Sequence, residues 1–362
     1  MELNTTCNES VAVCSSGNAS DTDDQLTPAM AEVVSILVPI LFGIIIVIGL
    51  IGNALVVVVV SANAQMRSTT NLLIINLAVA DLLFIIFCVP FTASDYILTY
   101  WPFGDVWCRV VQYLIVVTAY ASVYTLVLMT VDRFLAVVYP IKSMSVRTER
   151  HAVMAIAVLW VLIVTSAVPV YYSHGERHYK FNDEEHIVCV FLDHEYQWAV
   201  FQISFFVTSY VLPLALICGL YLGILLRLWR GVAPGGRVSA ESRRGKRRVT
   251  RMVVVVVATF AICWCPIQLI LVLKSLDRYD ISAGGIIAQI VSHVLAYMNS
   301  CVNPILYAYL SENFRKAFSK VIYCWTPPPT VGPARSHAAA AGAHDPAEGT
   351  KTTKTNGNND FL

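Results

Sequence analysis

Val33–Val60 reads VVSILVPILFGIIIVIGLIGNALVVVVV, a run with no charged side chain. A helix rises about 1.5 Å per residue and the hydrocarbon core of a bilayer is about 30 Å thick, so about 20 apolar residues suffice to cross it. Six further stretches meet that length: Leu72–Phe91, Val110–Val131, Ala152–Tyr172, Trp198–Leu226, Met252–Leu273 and Ile286–Leu310. Asp81 is the one acidic residue in all seven, and they hold no Glu, Lys or Arg. Backbone groups in lipid must be satisfied within the segment, so these stretches are helices. Of the 362 residues, 57% are hydrophobic and 14% charged, too few charges for the polar faces that soluble helices need. The expected fold is an all-α membrane protein, a seven-transmembrane helix bundle with a short amphipathic eighth helix over 311–324. Residues 1–32 form a glycosylated tail, 33–324 the membrane domain, and 325–362, rich in Pro, Ala, Gly and Thr, a disordered cytoplasmic tail.

Orientation follows from where Lys and Arg gather. Residues 1–32 have neither. The connection between spans five and six carries Arg227, Arg230, Arg237, Arg243, Arg244, Lys246, Arg247, Arg248 and Arg251; that between three and four adds Lys142, Arg147 and Arg150, and Arg315, Lys316 and Lys320 follow span seven. The N-terminus is therefore expected outside the cell and the C-terminus inside. Asn4, Asn8 and Asn18 each open an Asn-X-Ser/Thr acceptor for glycosylation, which needs the same orientation. Cys108 and Cys189 fall on the oxidising side. The first thirty residues lack the basic start and apolar run of a secretory signal, so span one is expected to drive entry into the membrane. Cys324 follows the amphipathic run Glu312–Tyr323 and is a candidate for palmitoylation.

An ionisable residue at membrane depth marks function. Asn53, Ser122, Asn299, Ser300 and Asn303 lie at a depth comparable with Asp81 and would make an oxygen-rich pocket for a small hard cation or a water network. Asp132-Arg133-Phe134 closes the inner end of span three and is followed by Pro140-Ile141, an apolar step in a basic loop suited to a pocket on a partner. Pro213, Pro266 and Pro304 each remove a backbone bond within a span and read as hinges, with Trp264 as a packing lever and Tyr307 free to swing. Cys88, Cys218, Cys263, Cys265 and Cys301 read as packing residues.

Taken together, Asn53, Asp81, Cys108, Asp132-Arg133-Phe134, Trp160, Pro213, Cys263-Trp264-Cys265-Pro266 and Asn303-Pro304-Ile305-Leu306-Tyr307 resemble, span by span, the signature set of rhodopsin-like G-protein-coupled receptors over about residues 33–324. Met129–Pro140 resembles the galanin and allatostatin-A receptor branch, and Ser173-His174-Gly175-Glu176 resembles the insect allatostatin-A receptors. The resemblance implies a disulfide between Cys108 and Cys189, an allosteric sodium ion held by Asp81, Ser122, Asn299 and Asn303, and a switch formed by Phe260 and Trp264. It implies that Arg133, Tyr221 and Tyr307 rearrange to admit a heterotrimeric G protein, inhibitory in most galanin-branch receptors. Arrestin and receptor kinases are implied as further partners, and no other cofactor. Many relatives pair the arginine with an acid on span six. Here the matching position is Lys246, so Asp132 alone is expected to restrain Arg133.

The ligand expected is an amidated neuropeptide. Amine receptors of this class carry an Asp where this chain has Ile115, and an opsin needs a Lys in span seven that is absent here. Gln112, Ile115, Phe201, Phe205, Gln268, Leu271, Gln289 and His293 are the candidate pocket residues, amide and aromatic groups suited to an uncharged peptide end. Allatostatin-A ligands share a C-terminal Phe-Gly-Leu-amide; a galanin-like or other peptide is the alternative. The acidic outer loop, with Glu176, Asp183, Glu184, Glu185, Asp193 and Glu195, would attract basic residues of a peptide. A secondary transporter would need matching halves, which the seven spans do not show. No acid, base and nucleophile share one depth, which argues against an enzyme, and the membrane setting argues against nucleic acid.

Overall fold

The structure is a computed structural model that describes residues 28–63, 66, 68–98, 100–181, 184–193, 196–230, 240–280, 282–310 and 314–319. Asn4, Asn8, Asn18, Cys7, Cys14, Cys324 and the tail from 325 lie outside the described residues, as do the side chains of 228–250, Lys246 included.

Seven helical spans are long and apolar enough to cross a membrane. Span one is α1 (Pro28–Ala62). Span two is α2 (Thr69–Phe87) continued by α3 (Val89–Ile97). The break at Cys88 comes from Pro90 in the first turn of α3, whose ring clashes with the carbonyl four residues back. Span three is α4 (Asp105–Val138), followed by the short α5 (Pro140–Val146). Span four is α6 (Glu149–Ser166) and, after a break at Ala167 set by Pro169, α7 (Val168–Ser173). Strands β1 (His174–Phe181) and β2 (Glu184–Phe191) form an antiparallel hairpin. Span five is α8 (Trp198–Phe206), a π-helical turn Val207–Val211 and α9 (Leu212–Arg230). Spans six and seven are α10 (Ala240–Ser275) and α11 (Ala283–Leu310), and residues 314–319 form a further helical stretch.

Three boundaries differ from the sequence expectation. α4 continues beyond Asp132-Arg133 to Val138, so the pair lies within the helix and does not close it. α10 begins at Ala240, so the basic run 243–248 is a helical extension of span six and not loop. Of the eighth helix expected over 311–324, the described part is 314–319, with Phe314 and Phe318 buried and Arg315 and Lys316 exposed.

α4 is the central strut, touching α2, α5, α6, α7, α9, α10 and both strands. Contacts between spans rely on small residues and polar bridges, because lipid offers no hydrophobic drive for helices to pair. A Cβ on Gly49 of α1 would fall 2.5 Å from Ile85 Cδ1 and 3.0 Å from Cys301 Sγ, so only glycine lets α1 approach α2 and α11 there. Asn76 joins three spans: its Nδ2 donates to Thr125 Oγ1 at 2.7 Å, and its Oδ1 accepts from Trp160 Nε1 at 2.8 Å. Ile36, Ile40, Ile44, Val47 and Ile51 of α1 and Val153, Val158, Val161 and Leu162 of α6 point outward and are exposed. Such apolar faces suit lipid and not water. The chain is a multi-pass membrane protein.

The hairpin caps one end of the bundle. Cys189, opposite Glu176 in the register, is disulfide-bonded to Cys108 on the first turn of α4. Ile187 O accepts from Trp101 N at 2.7 Å, and Asp105 Oδ1 accepts from Glu176 N at 2.9 Å. Gly175 sits so close that a Cβ would lie 2.9 Å from Asp105 Oδ1 and 3.0 Å from Arg109 Nη2. The Ser-His-Gly-Glu motif is thus the seam between span four, the hairpin and the start of α4.

Candidate functional site

Midway along the bundle, Asp81 is fully buried and its Oδ2 accepts from Asn303 Nδ2 at 2.9 Å. Ser300 and Ser122, both buried, place their side chains near the carboxylate. Asp81 Oδ1, Asn299 Oδ1 and Asn303 Oδ1 are buried with no hydrogen-bond partner. Orphaned buried oxygens are costly unless something meets them. Asp81 Oδ1 and Asn303 Oδ1, on side chains hydrogen-bonded to one another, together with Asn299 Oδ1 one helical turn before Asn303, form an oxygen-only donor set that fits a small hard cation.

Asn53 keeps its Oδ1 buried and unpartnered like those of Asn299 and Asn303, while its amide nitrogen takes a further role. Pro304 has no N–H, which leaves the Ser300 carbonyl without its helical partner. Asn53 Nδ2 donates to that carbonyl at 2.8 Å and to Gly49 O at 2.9 Å. The amide of α1 therefore supports the span-seven kink. Asn53→Ala is expected to destabilise the purified protein by about 1–3 kcal/mol, since a buried acceptor is left unpaired. A melting temperature within error of the wild type would contradict this.

Trp264 sits where the apolar core converges, packing against three separate clusters. Its ring lies 6.0 Å from Phe260 and 6.5 Å from Phe84. Phe84 meets Tyr297 edge-on at 4.9 Å, and Tyr297 in turn lies 5.9 Å from His293. Towards the hairpin, Phe201 and Phe205 stack at 6.5 Å, and Phe201 continues into Phe191, Trp198 and His174. Ile115 and Leu271 pack beside the cluster that holds Ile267, Ile290 and Tyr297. Gln112 Nε2 lies 3.9 Å from Cys189 Sγ, and Gln289 is buried. Gln268 Nε2 donates to Ser209 Oγ at 3.1 Å, which leaves its Oε1 buried and unpartnered. The candidate pocket residues thus occupy the hairpin half of the bundle, with Phe201 and Phe205 joined through their rings and Ile115 and Leu271 through apolar contacts.

The π turn in span five was not foreseen. It presents three successive residues to two neighbours: Tyr120 OH and Tyr124 OH of α4 meet Thr208 Oγ1 (2.7 Å) and Thr208 O (2.9 Å). Ser209 meets Gln268, and Tyr210 OH donates to Ala261 O at 2.8 Å. The wide turn leaves carbonyls for side chains to satisfy, a pattern frequent at functional sites. Tyr120 and Tyr124, four apart on one helix face, were the available signal.

At the end opposite the hairpin, Asp132 is buried and accepts from Thr70 Oγ1 at 2.8 Å, from the Arg133 guanidinium and from Arg147 Nε at 2.7 Å. The carboxylate that restrains Arg133 is therefore shared with Thr70 and Arg147. Tyr221 and Tyr307 bury hydroxyls that have no hydrogen-bond partner. The Tyr307 ring is buried and packs 5.6 Å from Phe314. On α5, Ile141 is 85% and Met144 78% exposed, an unpartnered apolar step. The acidic outer loop is also partly neutralised, since Asp193 pairs with Arg177.

His174 is buried in the seam, bonded through Nδ1 to Val170 O at 2.9 Å and ringed by Phe191 and Phe201. Burial pushes its pKa down from 6.5 to about 4, against the raising effect of the Val170 bond, with Arg109 lowering it further. Below the unfolded pKa the unfolded chain binds the extra proton first. The protein is therefore expected to keep full stability above about pH 6.5 and to lose up to about 3 kcal/mol as pH falls towards 4. Melting curves across that window should steepen for wild type relative to His174→Asn; parallel curves would contradict the assignment.

Residues 52–307 match the family model for the 7 transmembrane receptor (rhodopsin family). The chain is 62% identical over 345 residues to an Allatostatin-A receptor of Bombyx mori, covering 94% of this chain and 92% of that one. It is 41% identical over 308 residues to a Galanin receptor 2b of Danio rerio (85% and 79% covered) and 40% over 318 residues to a Galanin-like G-protein coupled receptor npr-9 of Caenorhabditis elegans (80% and 74%). With seven spans, the hairpin disulfide and the buried Asp81 and Asp132 centres in place, the chain belongs to the rhodopsin family of seven-transmembrane receptors, which are signalling proteins and not enzymes.

Proposed function

We propose that this chain is a plasma-membrane receptor for an amidated neuropeptide of the allatostatin-A type, coupled to a heterotrimeric, inhibitory G protein. The observation that carries the ligand class is the 62% identity to an Allatostatin-A receptor across nearly the full chain, against 36–41% for the galanin receptors. The amide and aromatic side chains of the hairpin half support an uncharged peptide end. The hairpin faces outward, where its disulfide is stable, and the basic residues of α5, the α6 start and α10 face the cytoplasm.

Ligand among Phe201, Phe205, Gln268 and His293 would favour one packing of spans three, five, six and seven around Trp264. The inner part of α10 then moves about Pro266 away from Arg133, which opens a groove for a helix of the G protein, with Ile141 and Met144 as an apolar contact beside it. To dominate, the peptide must prefer that packing by several kcal/mol. Asp81, Ser122, Asn299 and Asn303 would hold a sodium ion, which would supply positive charge beside the buried carboxylate and so favour the resting packing. Asp81→Asn is expected to erase sodium's weakening of agonist binding, seen when NaCl is exchanged for an organic cation salt; an unchanged sodium effect would remove the ion from this site.

The ligand class is tested by calcium release in cells that express the chain with a promiscuous G protein. Peptides ending in Phe-Gly-Leu-amide should act below micromolar and galanin-type peptides only weakly. The reverse ranking would favour the galanin-like reading.

A further inference from the structure

The sequence singled out Asp132 and Arg133 and treated Arg147 only as a topology charge. The structure gives Asp132 two cations. Arg133 and Thr70 Oγ1 share Oδ2, whereas Arg147 Nε holds Oδ1 at 2.7 Å, with its Nη2 3.4 Å from Oδ2. Arg147 reaches Asp132 from just past α5: its backbone N–H caps that helix on Ser143 O at 2.7 Å, and its side chain keeps 28% exposure against 4% for Asp132.

Arg133 faces the groove that α10 opens, and to reach a partner in that groove its guanidinium must leave Asp132. A carboxylate buried to that degree and stripped of its cation is strongly unfavourable. With Arg147 and Thr70 still in place, Asp132 is not stranded when Arg133 departs. We propose that Arg147 is a positioning residue for activation: it keeps the charge of Asp132 compensated so that Arg133 can let go, and it ties α5, with Ile141 and Met144, to the same carboxylate. The proposal rests on the activation reading of the previous section and names what regulates it.

The test uses two readouts on the full chain. The first is the distance between spin labels at Val138→Cys and Arg251→Cys, in a Cys218→Ser background, with no G protein present. The second is agonist-independent nucleotide exchange on a heterotrimer. Arg147→Gln should lower the population with α4 and α10 apart, and the exchange rate, by about tenfold, with an unchanged melting temperature. Arg147→Lys, which keeps the cation, should restore most of both. In an Asp132→Asn background, where no charge can be stranded, Arg147→Gln should change neither; a double-mutant cycle isolates that coupling. An Arg147→Gln effect of equal size in the Asp132→Asn background, no effect in wild type, or a rise in either readout would overturn the assignment. Label distances that follow this pattern without nucleotide exchange by any heterotrimer would sink the coupling reading while upholding Arg147.

Discussion

Cys189→Ser is expected to abolish surface display or ligand binding. The disulfide closes a separation of 81 residues, and loop-closure entropy assigns such a bridge about 4 kcal/mol. More than entropy is lost. The bond holds β2 against α4 beside Trp101 and Val111, and the hairpin carries His174 and Phe191 into the aromatic stack of Phe201. Surface immunolabelling paired with radioligand binding reads both effects. Cys108→Ser should give the same loss, and the double variant no greater one. Wild-type binding by either single variant would mean that the hairpin is held by its other contacts alone.

Trp264→Ala is expected to be the most damaging substitution in the membrane core. Removing a large aromatic from a packed interior costs about 3–5 kcal/mol. Among the described residues, Trp264 alone touches all three large clusters, the one around Asp132's end, the one around Tyr297 and the one around Phe205. Its loss should separate events in the hairpin half from those at Arg133. Receptor that reaches the surface should bind peptide within about tenfold of wild type, yet give little ligand-dependent exchange. Trp264→Phe, which preserves a ring, should recover part of the response. Full efficacy in the alanine variant would place the coupling elsewhere, for example through the Thr208–Tyr124 and Ser209–Gln268 contacts of the π turn.

The spans were legible because lipid imposes one rule, a long uncharged run, and nothing else in the chain satisfies it. Their ends were less so. α4 runs on past the charged Asp132-Arg133 pair to Val138, and α10 begins at Ala240 in a polar run, where hydropathy carries no information and helix propensity decides. Pro90 and Pro169 break their helices, but a proline in an apolar run reads equally as a tolerated kink. The hairpin escaped because His174–Phe181 is almost wholly polar, with no alternation; its partners and the disulfide hold it, not its propensity. In the sites, residue types pointed to the polar residues near Asp81 and to Trp264, which the structure places between three apolar clusters. They could not give the direction of Asn53, which meets a carbonyl 247 positions away, or the sharing of Asp132 with Thr70 and Arg147, which only the close approach of α2 and α5 to α4 creates.

The most direct measurement is nucleotide exchange on a purified inhibitory heterotrimer by the receptor reconstituted in lipid nanodiscs, with a Phe-Gly-Leu-amide peptide and its free-acid counterpart. Expected is a sub-micromolar acceleration by the amide, at least tenfold weaker action by the acid, and none with Arg133→Ala at equal receptor content. Correctly folded wild-type receptor that binds the amide yet leaves exchange unchanged would contradict the central claim of a peptide-driven G-protein receptor.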